Sequence, residues 1–266
     1  MLRLTWLGLA ALPAIAAPPL REAPNPGAVP VNQLTVSGNA CGPAALLTAL
    51  RFGDANWQRA ATAVAGETKH DRLLTLIRTW GLRPSNSLTG RKRWSRQGVN
   101  VDDLCDMANE MARGQLLPLM KCEVLLMNPG ESPRQLLARA HGRLDASLRR
   151  GLPPIISIRR IVQRTGKDRT ASWEVLQGHY VTVIGVPGKL EQEATAFPVN
   201  YIDPWGGRRC AGRLAVSARA FRSGQAGEAT DSPCLEADFP QAEVGKKLAK
   251  AGETSVLTLA AVIGKW

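Results

Sequence analysis

Residues 178–207, "GHYVTVIGVPGKLEQEATAFPVNYIDPWGG", decide how the fold is read. The segment "HYVTVIGV" is rich in β-branched residues and apolar on both faces, which predicts a central strand. A loop from Pro187 to Ala196 separates it from "FPVNYID", which stops at Asp203-Pro204. An antiparallel hairpin with Val183 opposite Val199 and Val181 opposite Tyr201 would set His179 opposite Asp203. Opposed residues have Cβ atoms about 5 Å apart, close enough for a carboxylate to hold an imidazole N–H. Each residue also has a plainer role. A histidine at the mouth of a buried strand can be a satisfied core residue, and Asp203 can cap the turn "DPWGG" through its own side chain.

Outward from this hairpin, "PPIISIRRIV", "SWEVLQ" and "TSVLTLAAVIG" read as further strands, divided by Gly, Pro and charged loops. Upstream the period changes. Helical patterns run through "WQRAATAVAG", "HDRLLTLIRTWG" and "VDDLCDMANEMARG", the last with Asn100 as cap and Gly114 as stop. "LLPLMKCEVLLM" reads as a strand, and Ser132 to Arg150 as an amphipathic helix capped by Ser132 with Pro133 in its first turn. Ser217 to Lys250 is polar and Gly-rich and reads as loops with at most one short helix. Helices first and strands second predict an α+β domain with an antiparallel sheet.

Length and composition suit one well-buried domain: 266 residues, 44% hydrophobic. Met1-Leu2-Arg3 followed by the apolar "LTWLGLAALPAIA", closing on Ala14-Ile15-Ala16, has the pattern of a secretory signal over residues 1–16. The run is shorter than the ~20 residues a spanning helix needs, and Pro13 interrupts it. Residues 17–30 form a Pro-rich lead-in, and the domain is expected from Val31 to Trp266. The expectation is an exported protein, secreted or periplasmic, with no membrane span.

The formal charge of +12, about +11 once Arg3 is subtracted, suits anionic envelope polymers or acidic partners. The densest basic cluster, "GRKRWSR" from Gly90 to Arg96, carries one aromatic and no nucleic-acid fold signature, so it reads as a solvated loop and no nucleic-acid partner is expected. No metal or cofactor is expected either, because three scattered histidines without a Cys-x-x-Cys pair make a poor ligand set.

Five cysteines, Cys41, Cys105, Cys122, Cys210 and Cys234, leave at least one unpaired unless it bridges to another chain. Cys105 with Cys122, and Cys210 with Cys234, have the spacing of local disulfide staples, although four cysteines permit three connectivities. Cys41 is then the natural free thiol. It opens "CGPAALLTALRFG", where Gly42 leaves the sulfur accessible, Pro43 suits a first helical turn, and the helix N-terminus stabilises a thiolate. By itself a lone Cys-Gly-Pro favours a buried structural cysteine. His179 supplies a base and Asp203 an orienting acid, and together they make a Cys-His-Asp arrangement for acyl transfer. His70 and His141 read as surface-helix residues. Gln33 and Asn39 are the side-chain amides nearest upstream that could donate to an oxyanion beside the Cys41 N–H, and Asn39 is also suited to cap the helix.

The segments "NQLTVSGNACGPAALLTAL", "GLPPIISI", "GHYVTVIGV" and "NYIDPWGG" together resemble the papain-like cysteine peptidases, in particular the bacteriocin-processing-like group. The resemblance implies a papain-like α+β fold, with a helical N-terminal half whose first helix carries the nucleophile, packed on an antiparallel sheet from the C-terminal half. It implies Cys41 as nucleophile, His179 as base, Asp203 as third member and Gln33 as oxyanion donor. The family glutamine commonly lies six residues before the cysteine; here Gln33 lies eight before, and Thr35 occupies the six position. It also implies a peptide or protein substrate, attacked through a thioester acyl-enzyme at a peptide or isopeptide bond. A deamidase, transglutaminase or other acyltransferase would use the same groups. A basic envelope-binding protein without catalysis is the alternative of another class.

Overall fold

The structure is a computed structural model that describes residues 19–165, 171–219, 233–242 and 244–266. The signal segment 1–16 and part of the polar stretch 217–250 lie outside the described residues. Along the chain come strand β1 (Leu20–Glu22), helices α1 (Cys41–Phe52), α2 (Ala55–Ala63) and α3 (Lys69–Leu76), strands β2 (Trp94–Ser95) and β3 (Gly98–Val99), helix α4 (Val101–Gly114), strand β4 (Lys121–Val124) and helix α5 (Pro133–Arg149). Strands β5 (Ile155–Thr165), β6 (Ala171–Pro187), β7 (Ala196–Asp203), β8 (Arg208–Val216), β9 (Leu235–Asp238) and β10 (Ser255–Gly264) follow.

Local chemistry sets the helix starts. Asp54 caps α2, Thr68 and Asp71 form a reciprocal capping box on α3, Asn100 caps α4, and Ser132 with Gln135 forms a second box on α5, where Pro133 takes the first turn. Strand β6 unites "SWEVLQ" and "HYVTVIGV" into one 17-residue strand running through Gly178.

The strands do not form an open sheet. They run in the order β6-β5-β10-β9-β8-β7, and β7 pairs back onto β6, so six antiparallel strands close into a barrel, with β1 added to β6 and β4 to β10. This corrects the expected papain-like α+β fold: the protein is a mostly β barrel with five helices among the described residues, and it has no papain-like helical N-terminal half. The closure depends on β8 and β9, which supply the missing wall between β7 and β10. The joints of the barrel differ in extent. β5 and β6 pair along almost their whole length, whereas β6 and β7 share three register pairs and β9 and β10 a single one, Thr258 with Glu236.

Two apolar clusters meet at the barrel wall. One joins Ile156, Ile158, Val181, Val183, Tyr201 and Leu259 with Leu136, Leu137, Ala140 and Leu144 of α5. The other joins Ile155, Tyr180 and Ile263, from the alternate positions of the same strands, with α1, α2, α3 and α4. β6 is therefore apolar on both faces because both are covered. α1 shows the same logic: every residue except Arg51 is buried, since β6 covers one side and the other helices the rest. Thr182, facing α1 from β6, satisfies its hydroxyl by donating to the Ala45 carbonyl at 2.9 Å.

All five cysteines are free thiols, so neither expected disulfide is formed. Cys105 donates to the Met120 carbonyl at 3.8 Å, Cys122 to Asp102 at 3.5 Å and Cys210 to the Arg208 carbonyl at 3.8 Å. No helix among the described residues is long and apolar enough to cross a membrane.

Candidate active site

Cys41 is the first residue of α1, and Ala40 before it makes no side-chain cap, so the opening N–H groups of the helix are not taken by a cap. Gly42 is required at the next position: a Cβ there would collide with Cγ1 of Val99, with Tyr180 and Leu104 also in contact range. The β2–β3 hairpin thus presses directly on the helix start. It is tied down by the Asn39 amide donating to the Arg96 carbonyl, by the Trp94 indole donating to the Asn39 carbonyl at 3.1 Å, and by the Tyr180 hydroxyl donating to the Val99 carbonyl at 3.1 Å. The basic segment read as a solvated loop is consequently a wall beside Cys41.

His179 is buried in β6, and its Nε2 donates to Asp203 Oδ1 at 2.9 Å. The supposed register is off by two residues. Val183 faces Tyr201 and Thr182 faces Ile202, so the ladder would bring Val181, not His179, opposite Asp203. A slip of two preserves the face, and the diagonal neighbour remains within reach of a long side chain. Asp203 is fully buried and fully used. Oδ1 also accepts the Trp205 N–H at 2.8 Å, the turn role anticipated for it, and Oδ2 accepts Arg208 Nη2 at 3.1 Å.

Electrostatics separate Cys41 from the other thiols. Burial opposes its thiolate, but a hydrogen bond to His179, the charge of that ring and the N–H groups of Tyr180 and Gly42 outweigh burial, and the thiol is lowered below its ordinary value. Burial pushes the other four up, Cys105 and Cys234 to about 12. His179 is the complement. Burial disfavours its cation, yet the hydrogen bonds to Asp203 and Cys41 and their charges raise it to about 9. Asp203, disfavoured as an anion by burial, is nonetheless lowered by His179, the Trp205 N–H and Arg208. The arrangement can hold a thiolate–imidazolium pair with a carboxylate behind it.

The amides occupy other posts. Gln33 is buried in a short 3-10 turn, Gln33–Thr35; its backbone N–H donates to the Pro204 carbonyl at 2.9 Å and its Nε2 to the Gly38 carbonyl at 2.6 Å. It braces the loop in front of Cys41 from the Asp203 side, with one of its two amide hydrogens engaged by Gly38 and its buried Oε1 without a hydrogen-bond partner. Asn39 does not cap α1; it serves the β2–β3 hairpin. Of the remaining histidines, His70 is exposed in the first turn of α3. His141 is buried rather than on the surface, bonded through Nε2 to the Pro187 carbonyl at 2.7 Å and edge-on to Phe197.

Two contributors escaped the sequence reading. Arg208 pairs with Asp203 across the turn that "DPWGGR" makes, and this spacing was a usable signal. The Tyr180 N–H carries none, since any residue after His179 would supply it. No protein-family model, curated protein or solved structure matches the chain.

Proposed function

We propose that this protein is an exported thiol hydrolase that cleaves a peptide or isopeptide bond through Cys41, His179 and Asp203. The observation that carries the reading is the buried Cys41–His179–Asp203 cluster, with His179 bonded to Asp203, in which Cys41 is the cysteine lowered while the other four are raised. The likeness of the segments around these residues to the bacteriocin-processing-like cysteine peptidases supports it at the level of motifs. The basic charge fits work among anionic envelope polymers, and the signal-like residues 1–16 fit export.

In this mechanism the Cys41 thiolate attacks the substrate carbonyl carbon. The developing oxyanion takes the Cys41 N–H at the helix start, with the free amide hydrogen of Gln33 as second donor. The His179 imidazolium gives its proton to the leaving amine, and a thioester to Cys41 remains. Water then loses a proton to His179 as it attacks the thioester, and Cys41 leaves as thiolate. Asp203 holds the ring through Nε2, so that Nδ1 faces the sulfur throughout.

The test is to incubate the purified protein and its Cys41→Ala variant with peptide libraries and envelope extracts and to follow products by mass spectrometry. New amine and carboxylate ends that need Cys41 are expected. A trapped thioester that passes only to amines, never to water, would replace hydrolysis with transfer.

A further inference from the structure

The walls beside Cys41 carry uncommitted positive charge. Arg159 lies in β5 opposite Gly178, the residue before His179, and shares the strand face of Ser157 and Tyr180 that meets α1. Its side chain is exposed and, among the described residues, has no hydrogen bond or ion pair, while its charge acts on the Tyr180 hydroxyl together with that of Cys41. The hairpin on the other wall adds Arg96, whose carbonyl holds the Asn39 amide next to the nucleophile, and Lys92. Both are exposed, and neither side chain has a hydrogen bond or ion pair among the described residues. Arg91 bonds only the neutral Gln97.

Carboxylates do not balance these cations. On α4, Glu110 is engaged by Arg83 and Arg93, Asp106 accepts Asn86, and Asp103 is buried against Asn100. Asp203 is matched by Arg208, and the Cys41–His179 pair is neutral as a unit. Asp102 accepts the Cys122 thiol and acts on Tyr180, and with Asp106 and Asp103, whose partners are neutral amides, it makes three carboxylates without an ion pair among the described residues. Four cations, Arg159, Arg96, Lys92 and Arg91, face these three carboxylates around the site, an excess of positive charge that draws anions in.

We infer that the site selects substrates bearing a carboxylate next to the scissile bond, an acidic peptide side chain or terminal carboxylate read by Arg159, with Arg96 and Lys92 steering its approach. This rests on the reading of Cys41 as the nucleophile, and the test keeps the two separable.

Cys41 is alkylated in parallel with iodoacetate, which is anionic, and iodoacetamide, which is neutral, in the wild type and in Arg159→Gln and Arg96→Gln, each verified as folded by circular dichroism. The iodoacetate to iodoacetamide rate ratio is expected to fall at least about threefold in Arg159→Gln and to fall in the wild type as salt is raised. A ratio unchanged by both substitutions would overturn the inference while leaving the nucleophile intact. Failure of Cys41 to react faster than Cys122 with either reagent would instead overturn the nucleophile. Paired peptides differing by Glu and Gln beside the cleaved bond complete the test. The Glu peptide is expected to have the higher kcat/KM in the wild type and to lose that advantage in Arg159→Gln. A preference for Gln or Lys, or a Glu preference that survives the substitution, would overturn the role of Arg159.

Discussion

His179 and Asp203 are joined by a 2.9 Å hydrogen bond along the diagonal of the β6–β7 ladder, not across it. The ring is thereby held at its Nε2 from one strand over, with Asp203 itself locked by the Trp205 N–H and Arg208.

The ion pair fixes a pH window. His179 is raised from 6.5 to about 9, so its contribution to stability is complete below pH 6.5 and is lost as pH rises through about 9. Three histidines make its ring protons resolvable by NMR. The His179 signals should titrate near pH 9 in the wild type and at lower pH in Cys41→Ala, where the thiolate is gone; a wild-type midpoint at 6.5 would contradict the pair.

Asp203→Asn keeps the shape and removes the charge. The rate of substrate cleavage should fall on the order of 10³ to 10⁴-fold, with Cys41 still alkylated, because an amide no longer fixes the ring or stabilises its cation. Arg208→Gln should act more mildly, costing about 1 to 2 kcal/mol in urea unfolding, since the half-exposed arginine gives up a charge-assisted bond to the buried Asp203 carboxylate and bonds to the Trp205 and Gln241 carbonyls.

Gly42→Ala sets two effects against each other. Alanine in a helix is favoured over glycine by about 1 kcal/mol, whereas the added methyl must displace Val99 and the hairpin behind it at about 1 to 3 kcal/mol. Overpacking is expected to win, lowering the melting temperature and slowing Cys41 alkylation; a variant more stable than the wild type would show that the hairpin yields.

Cys105 and Cys122 are free thiols near enough to act on each other's ionisation, so the two-electron oxidant diamide should join them, detected as a crosslinked peptide by mass spectrometry. Cys210 and Cys234 should not be joined in the folded protein. If instead they crosslink first, the barrel wall opens more readily than its packing implies.

The elements that position chemistry were legible because local rules govern them: the helix start at Cys41, the capped starts at Asn100 and Ser132, the strand end at Asp203-Pro204. The barrel was not legible, because closure is a non-local property. β8 reads "RRCAGRLAV", with three arginines and a glycine that mask its alternation, and β9 is four residues in a polar segment. Without those two strands the sheet has open edges, and an open α+β layer is the natural expectation. The hairpin register failed by two residues because face parity, which the pattern encodes, does not fix the offset, and the irregularity between Val183 and Gly185 absorbs a residue. Cysteine arithmetic misled as well. Cys41 is singled out by its neighbours and not by being the odd one among five.

The uneven joints of the barrel carry a mechanical consequence. Its long pairings gather the strands into two ribbons, β6-β5-β10 and β7-β8-β9, which meet at three register pairs on one side and one on the other. His179 belongs to the first ribbon and Asp203 to the second, so their hydrogen bond is also a clasp between the halves. Any breathing of that joint loosens the His179–Asp203 bond. The clasp then becomes a gauge of whether the barrel is shut: on the proposed reading, activity should fade on warming while the strands of each ribbon are still paired.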